Sequence, residues 1–111
     1  MGLRVVEHGS DVRVVRVVGE VDTLTAPKLA AVLTTQLTAA RLVVVDLDDV
    51  EFFGSAGLRV LLEVDALAVE RDCDLRLVCH SRVVNRALEV TALRERFVFV
   101  DTVSDALEGL P

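Results

Sequence analysis

The stretch Leu42–Leu62, LVVVDLDDVEFFGSAGLRVLL, restricts the fold more than any other part of the chain. It opens with Leu42-Val43-Val44-Val45, apolar at every position and rich in β-branched residues. Such a run suits a strand covered on both faces. Acids follow at Asp46, Asp48, Asp49 and Glu51 and read as a turn. Next come two phenylalanines, a loop of small residues (Gly54-Ser55-Ala56-Gly57) and a second apolar run from Leu58. Ser55 is read as a helix N-cap, because its hydroxyl can accept from the free N–H groups of a first turn. The helix is expected from Ala56 or Gly57 to about Arg71. The loop is the place to look for function, because backbone N–H groups and the positive end of a helix dipole converge there.

The flanking sequence supplies partners for this strand. Leu3–Glu7 and Val12–Val18 read as two strands joined by the turn cluster His8-Gly9-Ser10-Asp11, an antiparallel hairpin. Thr25 followed by Pro27 marks a helix start, and Leu29, Val32, Leu33 and Leu37 recur at helical spacing through Ala39. Asp74–Cys79 reads as a strand. Ser81 then caps a helix with Val84, Ala87, Leu88 and Thr91 inward. Phe97–Val100 reads as a last strand, and Thr102 with Asp105 as a capping box for a terminal helix through Leu107. The expected order is β-β-α-β-α-β-α-β-α. That is an α/β domain spanning 1–111, with a mixed, mostly parallel sheet, an N-terminal β-hairpin and four helices.

Composition narrows the function classes. Hydrophobic residues make up 52% of 111, enough for one real core, and without Trp or Tyr it must be built from Val, Leu and Ala. A net charge of −6 argues against direct binding of nucleic acid or an anionic membrane surface. Cys73 and Cys79 are too few for a disulfide framework and read as reduced, partly buried thiols. The start of the chain has no apolar leader region and no run approaches transmembrane length, so a cytoplasmic protein is expected.

Four chemistries can be tested on the central loop. Ser55 as a nucleophile needs a His base oriented by an acid, but His8 lies in the early turn and His80 at a strand end. Phe53 also stands where a G-x-S-x-G elbow needs glycine. The loop lacks the glycine spacing and the lysine of a phosphate-binding loop. Asp46, Asp48 and Asp49 match no calcium-loop spacing, and acids at the end of a parallel strand ordinarily face solvent. A protein-binding surface remains, one that phosphate on Ser55 could switch: it would be repelled by Asp22, Asp48 and Asp49 and held by the helix N-terminus. On chemistry alone, Ser55 as a plain helix cap is the better reading. No metal, cofactor or enzymatic activity is expected.

Four landmarks together resemble a known family. They are Gly19-Glu20-Val21-Asp22, Val44-Val45-Asp46-Leu47, Phe53-Gly54-Ser55-Ala56-Gly57-Leu58 and Ala87-Leu88-Glu89-Val90-Thr91-Ala92-Leu93. In order and spacing they look like the STAS domain of bacterial anti-sigma-factor antagonists, over nearly the whole chain. The resemblance implies a docking face for an anti-sigma factor, commonly a serine kinase with an ATPase-like fold. That face would comprise Asp22, Thr23, Gly54, Ser55, Ala56, Gly57, Leu58, Arg59 and Leu62. In the family, the unphosphorylated antagonist binds the anti-sigma factor and frees the sigma factor, and phosphorylation of the loop reverses this.

The loop departs from the family pattern of Asp-Ser-Ser/Thr-Gly-Leu. Gly54 replaces the aspartate and Ala56 occupies the acceptor position, leaving Ser55 as a fallback acceptor. Ala92 replaces a usual glycine. The resemblance also admits a STAS subunit of a lipid-transport complex, which contacts its ATPase, or a small-ligand or nucleotide sensor. A monomer or weak dimer is expected.

Overall fold

Turn chemistry sets the first element pair. β1 (Gly2–His8) and β2 (Val12–Val21) are antiparallel, with partners from Gly2↔Val18 to His8↔Val12. Gly9 sits in the connecting turn at φ 71°, a left-handed conformation open to glycine at little cost. The computed structural model describes residues 1–108. Residues 109–111 of the expected domain lie outside the described residues.

β2 pairs in parallel with β3 (Leu42–Phe53), and β3 in parallel with β4 (Asp74–Val78), giving the order β1-β2-β3-β4. α1 (Ala26–Ala39) and α2 (Ser55–Glu70) are the crossovers. α3 (Arg82–Val90) follows β4, then a 3-10 turn at Arg94–Arg96 and α4 (Val103–Glu108). This is the expected mixed sheet with four α-helices.

Strand periodicity divides the apolar residues between two faces. Val15, Val17, Val43, Val45 and Leu47 form the main core with Leu29, Leu33 and Leu37 of α1, Val60, Leu61 and Val64 of α2, and Val84 and Leu88 of α3. Burying each such side chain contributes about 1.5–3 kcal/mol. The alternate residues Val12, Val14, Leu42 and Val44, with Val78, form a smaller cluster covered by Val100, Val103, Ala106 and Leu107. The run Leu42–Val45 is therefore buried on both faces, as its composition demands.

Four local expectations are corrected. The acids Asp46–Glu51 do not form a turn, because β3 continues through them to Phe53. Two register shifts against β2 let this happen: Leu47, Val50 and Phe53 point inward while Asp48, Asp49, Glu51 and Phe52 stay exposed. The last strand shrinks to one parallel bridge, Leu77↔Phe99, flanked by Val100 N–H donating to the Leu77 carbonyl at 3.0 Å. The 3-10 turn before it and α4 after it leave no length for a ladder. Thr91 ends α3 as its C-cap and is exposed, its hydroxyl donating to the Ala87 carbonyl at 2.7 Å. The α2 cap is Gly54, with Ser55 as the first helical residue, so Ser55 does not cap its own helix.

Ser81 behaves as its sequence position suggests. Buried at the start of α3, it accepts from Val84 N–H at 3.5 Å and donates to the Val50 carbonyl at 2.7 Å, tying the helix to β3. Cys73 and Cys79 are free and buried, and burial pushes the Cys79 thiol up to about 11.

Candidate docking surface

β2 and β3 end side by side, since Val21 is paired with Phe53. Gly54 N–H then donates to the Val21 carbonyl at 3.1 Å, so the two loops that leave these strands are held against each other. Both lie at the carboxyl ends of parallel strands, where loops of α/β folds carry function.

The expected small-residue loop Gly54–Gly57 is reduced to Gly54, which alone joins β3 to α2, and Ser55–Leu58 form the first turn of that helix. Gly54 is extended (φ −89°, ψ −176°), and its carbonyl accepts from Gly57 N–H at 3.0 Å and Leu58 N–H at 3.3 Å. Ser55 and Arg59 are exposed, Gly54, Ala56, Leu58 and Leu62 half-buried, and Gly57 buried. Gly57 must be small: a Cβ there would lie 2.7 Å from Cε1 of the buried Phe53. This helix start thus presents Ser55 outward while its backbone rests on a core aromatic ring.

The turn after β2 is fixed by one carboxylate. Asp22 Oδ1 accepts from Leu24 N–H and Thr25 N–H, each at 3.0 Å. The Thr25 hydroxyl accepts from Asp22 N–H at 2.9 Å and lies 3.1 Å from both Asp22 Oδ1 and the Glu20 carbonyl. The backbone N–H of Thr25, opposed by desolvation, holds the Asp22 carboxyl below the usual carboxylate range, with the Thr25 hydroxyl and Leu24 N–H adding to it. Thr25 stands at the N-cap of α1, but its hydroxyl serves this turn and makes no cap bond to the helix. Thr23 is exposed, and Leu24 is 90% exposed.

The expected docking residues therefore come together at the turn after β2 and at the N-terminus of α2, with Arg59 and Leu62 further along its first turns. Two exposed apolar side chains beside them, Leu24 and the 49% exposed Phe52 at the end of β3, are not among the expected residues. Leu24 offers no periodic signal, since it stands alone between two threonines. Phe52 differs from Phe53 only by the face of the strand on which it falls.

The neighbouring acids have structural partners. Arg16 on β2 makes an ion pair and hydrogen bonds with Asp49. Asp48 Oδ1 accepts from His80 N–H at 2.7 Å and lies 3.0 Å from His80 Nδ1, while His80 Nε2 lies 3.1 Å from Asp101 Oδ1. Asp101 first, then Asp48, raises the His80 pKa above its ordinary value. Among the described residues no group of three His, Cys, Asp or Glu side chains is arranged to hold a metal ion. An open cleft of about 550 Å³, lined by His8, Asp11, Arg41 and Asp74 among others, lies at the opposite end of the strands. No helix among the described residues is long and apolar enough to cross a membrane.

Comparison with known proteins agrees with this geometry. The STAS domain family model matches residues 4–106. An anti-sigma-F factor antagonist of Mycobacterium tuberculosis, RsfB, is 31% identical over 110 residues, covering 96% of this chain and 86% of that protein. The crystal structure of an anti-sigma factor antagonist from Mycobacterium paratuberculosis superposes with a TM-score of 0.84 at 30% identity, covering 96% of this chain and 91% of the other. An anti-sigma-factor antagonist (STAS) domain protein from Planctomyces limnophilus shares the fold with a TM-score of 0.76 at 24% identity, covering 96% and 94% of the two chains. The chain belongs to the STAS domain family.

Proposed function

We propose that this protein is an anti-sigma-factor antagonist. It binds an anti-sigma factor of the serine-kinase, ATPase-like type, and so releases a sigma factor and changes transcription. The observation that carries this reading is the juxtaposition of Ser55 and Arg59, both exposed, with the rigid Asp22–Thr25 turn at one end of the sheet. Its kinship with antagonists at about 30% identity over nearly the whole chain supports the same reading. The protein acts in the cytoplasm as a monomer or weak dimer, by binding and without catalysis or a cofactor.

Regulation follows from the loop. Ala56 has no hydroxyl to accept phosphate, so the complex is governed by the abundance of the two proteins and persists in the presence of ATP. The decisive experiment is affinity capture from the native cell, followed by titration calorimetry with the captured partner. Recovery of an anti-sigma factor, and release of its sigma factor on addition of this protein, is the expected result. Recovery of a transporter ATPase instead would overturn the proposal.

A further inference from the structure

The two loops differ in what they offer a partner. In the Asp22–Thr25 turn one oxygen of the charged group is used by the turn itself: Asp22 Oδ1 accepts two backbone N–H groups of its own turn and lies within reach of the Thr25 hydroxyl, which fixes how the carboxylate is oriented. The apolar side chain that the turn offers is Leu24, 90% exposed and the most exposed large apolar residue among those described. Its backbone N–H is one of the two that Asp22 holds, so the leucine stands on a fixed backbone. A large apolar side chain held that way has its burial still to gain and little backbone entropy to lose. These are the properties of an interface anchor.

We infer that Leu24 is an anchor residue of the anti-sigma-factor interface, entering an apolar socket on that partner, and that Asp22 is a positioning residue for it. The inference rests on the function proposed above, and it commits to the same partner because the turn is continuous with the Ser55 loop through the Gly54 N–H to Val21 carbonyl bond. Phe52, 49% exposed beside Gly54, extends the apolar contact on the other side of that loop: a Cβ on Gly54 would lie 3.3 Å from its ring. Exposed Glu20 and Glu51 lie close by on the paired strand ends, with no salt-bridge partner among the described residues, and they fit a socket with a basic rim.

The test uses the full chain and the anti-sigma factor that binds the wild type. Leu24→Ala is expected to weaken binding about tenfold or more, with the melting temperature unchanged because the side chain makes no core contact. Asp22→Asn, whose amide oxygen can still accept from the turn, is expected to bind within about threefold of wild type, whereas Asp22→Ala binds at least as weakly as Leu24→Ala. Leu24→Ala binding within about twofold of wild type overturns the anchor. If Asp22→Asn fails as badly as Asp22→Ala, the carboxylate is a direct charge contact and the positioning role is overturned. If no anti-sigma factor binds the wild type at all, the function itself fails and the inference falls with it, a result distinct from either of these.

Discussion

Phe53 occupies the space that a side chain on Gly57 would need: a Cβ on Gly57 would lie within 2.7–3.0 Å of three atoms of its ring. The ring is 7% exposed, packed in the main core, and cannot swing away without opening a void. Gly57→Ala therefore sets two effects against each other. Alanine gains about 1 kcal/mol in a helix, while overpacking a buried site costs about 1–3 kcal/mol. Three contacts this short against a confined ring make the second the larger. Thermal or urea unfolding is expected to show a net loss of about 1 kcal/mol, together with a shift of the Ser55 loop visible in backbone amide NMR spectra.

Ala92 presents the opposite opportunity. It follows the C-cap Thr91 at φ 57°, a left-handed conformation that strains a residue with a Cβ. Ala92 N–H donates to the Glu89 carbonyl at 3.1 Å and Leu93 N–H to the Leu88 carbonyl at 2.9 Å, closing α3 as a left-handed terminus. Ala92→Gly relieves the strain and is expected to raise stability by about 1 kcal/mol in urea unfolding, without altering partner binding.

His80 gives the fold a pH dependence of definite sign. Its pKa is raised in the folded protein, chiefly by Asp101 and then by Asp48. Its stabilising contribution is therefore complete below the ordinary histidine value of 6.5 and is lost as pH rises through the raised folded value. The imidazole is more than half exposed, so solvent screens the effect and keeps it modest. Melting curves of wild type and His80→Gln are expected to differ below pH 6.5 and to converge as pH rises through the raised folded value. A gap that widened with pH would contradict the assignment.

Phosphate transfer separates the two hydroxyl positions of the loop. Incubated with an anti-sigma factor of the proposed serine-kinase type and ATP, the wild type is expected to remain unmodified by intact-mass spectrometry. Ala56→Ser, which restores a hydroxyl one residue further into the helix, is expected to gain a single phosphate and to lose affinity for the partner. Stoichiometric phosphate on Ser55 of the wild type would show that the fallback position is used.

Much of this architecture can be read from local pattern. Leu29, Leu33 and Leu37 announce α1 by spacing alone, and all three are buried. The full length of β3 is hidden for a different reason. Asp46, Asp48, Asp49 and Glu51 carry the polarity of a turn, yet Arg16 answers Asp49 from 33 residues upstream, and His80 answers Asp48 from 32 downstream. Partners that distant leave no trace in a local window. The sequence places the cap of α2 one residue late because Ser55 has the better capping side chain, while the backbone turns at Gly54. At the docking surface, the proximity of the Asp22 turn to the Ser55 loop is implied by the family resemblance, but the use of Asp22 Oδ1 within its own turn belongs to three-dimensional geometry.

The two register shifts in the β2–β3 pair decide where this chain can change length. Between Arg16↔Asp46 and Val21↔Phe53, β3 takes seven steps where β2 takes five. The surplus falls in two outward doublets, Asp48-Asp49 and Glu51-Phe52, each bracketed by inward residues. Removing one member of a doublet would restore strict alternation there, leaving Val50 and Phe53 on the side they already occupy. Removing a residue from Val43–Asp46, where the pairing is regular, would instead flip everything beyond it and expel the ring that supports the loop. Single deletions in this strand should therefore be tolerated at the two doublets and refused upstream of them.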